Sequence, residues 1–208
     1  PLGFISPSRA NIETLSRFVP LKTFPNAAIL NTKSYPSPTT AHQPSRSLRL
    51  LYAGKLEPPK GVDLLAQTVE ALAVSHDISL SVAGAGSLSE PLLHRFQQQP
   101  WFKYLGFLSQ QELADAMEGA DFLCVPSLWE ENSPGVVVHA LSIGVPVIGN
   151  DRGGIAELVN HDGNGILVPA TEMRDWSATL AELSCDHDRI RRLRAGAVTS
   201  RERFDIDA

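Results

Sequence analysis

Short apolar runs alternating with amphipathic stretches constrain this chain more than any other feature. The runs fall at residues 48–53, 78–83, 102–105, 122–125, 145–148 and 165–168, and Gly, Pro or Ser follows each of them closely. A short, largely apolar run of that kind, feeding a helix, is what a buried parallel strand shows. Helical patterns lie between and after them, at 62–72, 89–98, 110–118, 134–143, 155–159, 172–183 and 188–195. Ser109 with Glu112 forms a capping box, and Gly119 stands where the third of these helices should stop. The alternation predicts an α/β fold: a Rossmann-like, doubly wound parallel sheet of about six strands. Ligands of such sheets bind at the carboxyl ends of the strands, where the strand order reverses.

At 208 residues, one full domain with a small appendage is expected. The formal net charge of −5 excludes nucleic acid as a bulk partner, so any phosphate site must be local. Cys124 and Cys185 lie far apart, without metal-ligand spacing, which points to a reducing, cytoplasmic setting and to no zinc site. No apolar run approaches the length of a membrane span. Residues 4–30 read as one small β-α-β unit, and the Pro/Ser/Thr-rich stretch 35–47 reads as a linker.

The most informative segment is 126–149. A short strand ends in an acidic turn, Pro134 opens a helix, and Gly144 closes it. Asn132 or Ser133 is expected to cap the helix start, where Pro suits the first turn because its missing N–H costs nothing there. The free amides of Gly135 and Val136 and the positive helix end then face an anion above the sheet edge. Glu131 stands at that helix mouth, either accepting hydrogen bonds from ligand hydroxyls or merely complementing the dipole.

Other loops reach the same edge. Gly54-Lys55, with Lys60 and Gly61 beyond, brings two ammonium groups between a strand and a helix. Such a loop serves as a diphosphate clamp or else as a solvated loop. Arg152, Gly153 and Gly154 follow a later strand, where glycines permit close approach to a ligand and Arg152 would reach phosphate; a tight turn with an exposed Arg is the alternative. Glu157 reads as structural. Gly84-Ala-Gly86 lacks the third Gly of a dinucleotide fingerprint. Phe107 or Leu108 flanks a base if it is not core.

The run Glu131, Asn132, Pro134, Ala140, Gly144, Pro146, Val147 resembles the donor-site signature of retaining GT-B glycosyltransferases of the sucrose-synthase-like family, often called family 4. The Lys55/Lys60 loop is similar to that family's Gly-Arg-x(n)-Lys-Gly element, and 153–157 to its Gly-Gly-x-x-Glu element. The resemblance implies that Glu131 faces the transferred sugar, while Lys55 and Lys60 act on the diphosphate. It implies a UDP-, GDP- or ADP-sugar as partner, transfer with retention, and no cofactor or essential metal. Polysaccharide or glycoconjugate biosynthesis is the implied setting.

It also implies a domain plan: 1–34 as the end of an acceptor domain, 35–47 as the crossing, 48–200 as the donor domain and 201–208 as the start of a return helix. The chain then lacks its acceptor domain, transfers no sugar alone, and meets a membrane only through the missing half. The sequence departs from the signature at His139, which stands where the family holds the ribose diol with a second Glu. A neutral imidazole offers one acceptor and one donor, a loss of about 1–3 kcal/mol against a carboxylate. The rival readings are a nucleotide-sugar epimerase and a non-catalytic interaction domain with a degenerate donor site.

Overall fold

The computed structural model describes residues 4–6, 8–17, 26–28, 35–37, 41–43, 45–169 and 172–204. A small unit comes first: β1 (Phe4–Ser6), α1 (Arg9–Leu15) and β2 (Asn26–Ala28), with the two strands parallel, as a β-α-β unit requires. Then come β3 (Leu48–Ala53), α2 (Val62–Leu72), β4 (Ile78–Ala83), α3 (Ser89–Phe96) and β5 (Phe102–Gly106). The chain continues through α4 (Gln110–Gly119), β6 (Phe122–Val125), α5 (Gly135–Ser142), β7 (Val147–Asn150), α6 (Gly153–Leu158) and β8 (Gly165–Val168). Helices α7 (Met173–Cys185) and α8 (His187–Thr199) close the order.

The main sheet is six-stranded, parallel throughout, in the order β5-β4-β3-β6-β7-β8. Side chains of β3 alternate between its faces. Leu48, Leu50 and Tyr52 pack with α2, α3 and α7, whereas Leu51 and Ala53 pack with α4, α5 and α6. Both faces are covered, which is why the strand is apolar apart from Arg49, whose guanidinium pairs with Asp121. The chain winds outward from β3 to β5, returns to β6, and winds the other way to β8. Between the carboxyl ends of β3 and β6 the loops therefore part and leave a crevice.

Local chemistry explains where the sequence-based boundaries moved. The strand expected at 145–148 begins at Val147, because helix termination extends further: Gly144 is left-handed (φ +80°) and the Val145 amide still donates to Ala140 O at 2.8 Å. Pro134 is the N-cap of α5 and not its first helical residue, and no side chain caps that helix, so neither Asn132 nor Ser133 takes the expected role. The acidic turn is held from outside instead, by the Gly154 amide donating to Glu131 O at 2.6 Å. The helix expected from residue 155 starts at Gly153. The Ser109/Glu112 capping box forms as expected.

The stretch expected to be a linker is pinned down where it is described. The His42 amide donates to Glu118 Oε1 at 2.7 Å, and Gln111 Nε2 donates to Ser37 O at 2.9 Å. Buried Glu118 and Asp121 need such partners, which Arg194 and Arg49 complete with ion pairs at 2.7 and 2.9 Å. Glu157 is structural: it accepts the Arg9 and Ala10 amides at 3.0 and 2.7 Å and so caps α1. After α8 the chain makes a single 3-10 turn, Arg201–Arg203, with Phe204 buried; residues 205–208 of the expected return helix lie outside the described residues. Among the described residues no helix is long and apolar enough to cross a membrane.

Candidate functional site

The crevice is a cavity of about 610 Å³ at the carboxyl ends of β3 and β6. Its walls bring together Gly54, Lys55, Lys60, Glu131, Ser133, Pro134, Gly135 and Val136. These come from two sequence-distant loops, 54–61 and 126–134, and the start of α5.

Backbone packing sets the spacing. After β3 the chain makes a 3-10 turn, Pro58–Lys60, and then Gly61 at φ +70°, a conformation that favours glycine. A Cβ on Gly61 would stand 2.2 Å from the Pro126 carbonyl oxygen, so only glycine lets the two loops touch. The Leu128 amide donates to Pro59 O at 2.9 Å and zips them together. Lys60 Nζ thereby reaches Glu131 Oε1 at 2.6 Å.

The same oxygen accepts Ser127 Oγ at 2.7 Å and Trp129 Nε1 at 2.8 Å. Burial pushes the Glu131 carboxyl upward, but the donors from Lys60, Trp129 and Ser127 together with the Lys60 charge outweigh it and hold the group below the ordinary carboxylate range. Lys60 also sits 4.8 Å from the centroid of the Trp129 ring, so the ammonium is held by a carboxylate and an aromatic face. Tyr52 supports the Lys55 backbone by donating to its carbonyl at 2.7 Å; burial, then Glu131 and Asp63, push its phenol well above the usual range.

On the far wall, the α5 amides of Gly135 and Val136 belong to the turn that a helix cannot pair internally. Ser133 Oγ is buried there without a hydrogen-bond partner among the described residues. A buried hydroxyl, a helix start and two ammonium groups make a wall suited to an oxyanion. A second cavity of about 440 Å³ shares Ala53, Gly54, Lys55 and Val136 with the first and extends it towards Gly84, Ala85, Phe107 and Leu108. Phe107 is 87% exposed, so it is not core.

Several residues singled out in the sequence lie elsewhere. Arg152 donates to the Leu128 carbonyl and braces the loop from behind. Gly153 and Gly154 approach protein backbone: a Cβ on Gly154 would stand 1.9 Å from the Asn132 carbonyl oxygen. Asn132 contributes that carbonyl to the packing and does not line the cavity. His139 is 2% exposed and also lies off the cavity wall. Tyr35 stacks on its ring with centroids 4.2 Å apart and donates from its hydroxyl to Gly135 O at 3.0 Å. Ser127, Trp129 and Tyr35 carry no local sequence signal; only the fold brings them to these positions.

Comparison with known proteins agrees with this geometry. Residues 47–186 match the family model described as glycosyl transferases group 1. Over 177 residues the chain is 32% identical to the D-inositol 3-phosphate glycosyltransferase of Streptomyces bingchenggensis, covering 79% of this chain and 39% of that protein. It is 28% identical to the amylovoran biosynthesis glycosyltransferase of Erwinia amylovora over 152 residues, covering 69% and 37%. The chain thus spans about two fifths of the length of the curated relatives it matches. Among solved structures, Anabaena HepE in complex with UDP and glucose has a TM-score of 0.79 at 20% identity, covering 98% of this chain and 59% of that one. Sucrose-phosphate synthase from Thermosynechococcus elongatus has a TM-score of 0.77 at 21% identity, covering 96% and 52%. At those identities the structural likeness speaks for the fold alone. The family match, the two-way-wound parallel sheet and the cationic crevice at its switch point agree: this chain belongs to the group 1 glycosyltransferases.

Proposed function

We propose that this chain is the donor-binding domain of a retaining glycosyltransferase of the sucrose-synthase-like type, taking a nucleoside-diphosphate sugar. The carrying observation is the convergence of Lys55, Lys60, the orphaned Ser133 hydroxyl and the start of α5 on one cavity that also holds Glu131. As the bond from the anomeric carbon to the diphosphate breaks, negative charge grows on the phosphate oxygens. The Lys55 and Lys60 ammonium groups and the helix amides stabilise that charge without needing a metal. Glu131, held ionised, accepts from a hydroxyl of the sugar. Lysines act here as point charges and do not fork two oxygens as Arg does.

The base fits the adjoining cavity beside Phe107 and Leu108. UDP is the first candidate, since HepE binds it; GDP and ADP are the others. In this reading 48–200 is the donor unit, 35–47 the crossing and 1–34 the end of an acceptor domain. The purified chain then binds nucleotide and transfers nothing. Calorimetric titration of UDP, GDP and ADP against the chain and Lys60→Ala tests it. Binding of one nucleotide, weakened about tenfold or more by the substitution, supports the reading; silence with all three refutes it.

A non-catalytic interaction domain with a degenerate donor site is the second reading, favoured by His139 lying under Tyr35. It predicts an intact fold that holds no nucleotide.

A further inference from the structure

We infer that Ser127 and Asn150 are positioning residues for Glu131, tied through Trp176 to the hydrophobic core. Trp176 is fully buried on α7, and its indole N–H lies 2.8 Å from Asn150 Oδ1. An indole nitrogen only donates, which settles the orientation of the Asn150 amide. Its Nδ2 must then face the other way, and it donates to Ser127 O at 2.8 Å. Ser127 Oγ in turn donates to Glu131 Oε1 at 2.7 Å. Asn150 and Ser127 are themselves buried, so a break anywhere leaves a desolvated polar group unpaired.

The route of this relay separates it from ordinary core satisfaction. It starts on the α7 face of the sheet, passes the carboxyl ends of β7 and β6, and finishes on the carboxylate that lines the cavity. Ser127, Lys60 and Trp129 all occupy Oε1. Among the described residues Oε2 has no donor, so it is the oxygen presented to a ligand hydroxyl. Lys60 is the charged group that pairs with Glu131, and the Tyr52 phenol feels the charges of both Glu131 and Asp63. The relay thus sets which oxygen faces the sugar. This function rests on the donor-site reading above.

The test uses this chain with side-chain carboxyl labelling of glutamate, following the Glu131 titration by NMR beside calorimetry with UDP and UDP-glucose. Ser127→Ala should raise the midpoint of the Glu131 titration. It should also lower the UDP-glucose to UDP affinity ratio about tenfold, the loss of one charged hydrogen bond, with UDP itself little changed. Ser127→Thr, which keeps the hydroxyl, should restore both. Trp176→Phe, which removes the indole N–H together with part of a buried ring, should move both readouts in the same direction as Ser127→Ala. Parent-like midpoints and ratios in Ser127→Ala and Trp176→Phe, with only a lower melting temperature, would overturn the proposal. Ser127→Ala decides alone if Trp176→Phe does not fold. If the parent binds neither UDP nor UDP-glucose, the donor reading fails, while the carboxylate titration still decides the relay.

Discussion

Tyr35 lies flat on His139, the two rings only 9° from parallel. A residue from the segment between the small N-terminal unit and the main sheet thus covers the position at which this chain departs from the signature it resembles. The imidazole offers a flat face for that stacking, and a carboxylate has no ring to offer. His139→Glu is expected to cost about 2 kcal/mol or more in the absence of ligand, because it buries a charge. UDP should then raise the urea midpoint of the variant more than that of the parent, if the new acid reaches the ribose. Paired denaturation curves with and without UDP check both statements.

The Glu131 carboxyl titrates below its unfolded value. A group of that kind contributes stability that is fully present above the unfolded carboxylate value and is lost as pH falls through the lower, folded one. Glu131→Gln should therefore flatten the acid limb of the stability curve. Urea titrations stepped from neutral to acid pH measure the difference, and parallel curves for parent and variant would remove Glu131 from the account.

Gly61→Ala should destabilise the domain by about 2–3 kcal/mol. About 1–2 kcal/mol of this comes from the left-handed backbone and the rest from the contact with the Pro126 carbonyl. It should also weaken nucleotide binding, since the clash lies between the loops that carry Lys60 and Glu131. Chemical denaturation and calorimetry on the same preparation give both numbers.

Phe107→Ala should leave stability within about 0.5 kcal/mol, since the ring is exposed. If the ring stacks on the base, nucleotide affinity should fall by about 1–3 kcal/mol. Loss of affinity for UDP but not for inorganic pyrophosphate would locate the effect on the base.

The fold was legible because buried parallel strands are largely apolar on both faces, so 50–53, 122–125 and 165–168 stand out from the helices between them. Boundaries slipped where termination depends on one backbone contact, as at Val145 with Ala140 O. The Lys60 and Glu131 side of the site was also legible, since each sits on a loop that directly follows a strand. Arg152, Gly153 and Gly154 meet protein atoms here, which their sequence could not tell: a glycine pair beside a sheet edge reads the same whether the approaching atom belongs to a ligand or to Asn132. Ser127, Asn150 and Trp176 gave no sign, because a relay of single hydrogen bonds across three elements has no periodicity or spacing.

Glu157 clasps the first turn of α1 from one end of α6, and the other end of α6 abuts the carbonyls of Glu131 and Asn132. Helix α6 (Gly153–Leu158) is therefore a common buttress: the small N-terminal unit and the loop that carries Glu131 rest on opposite ends of the same six residues.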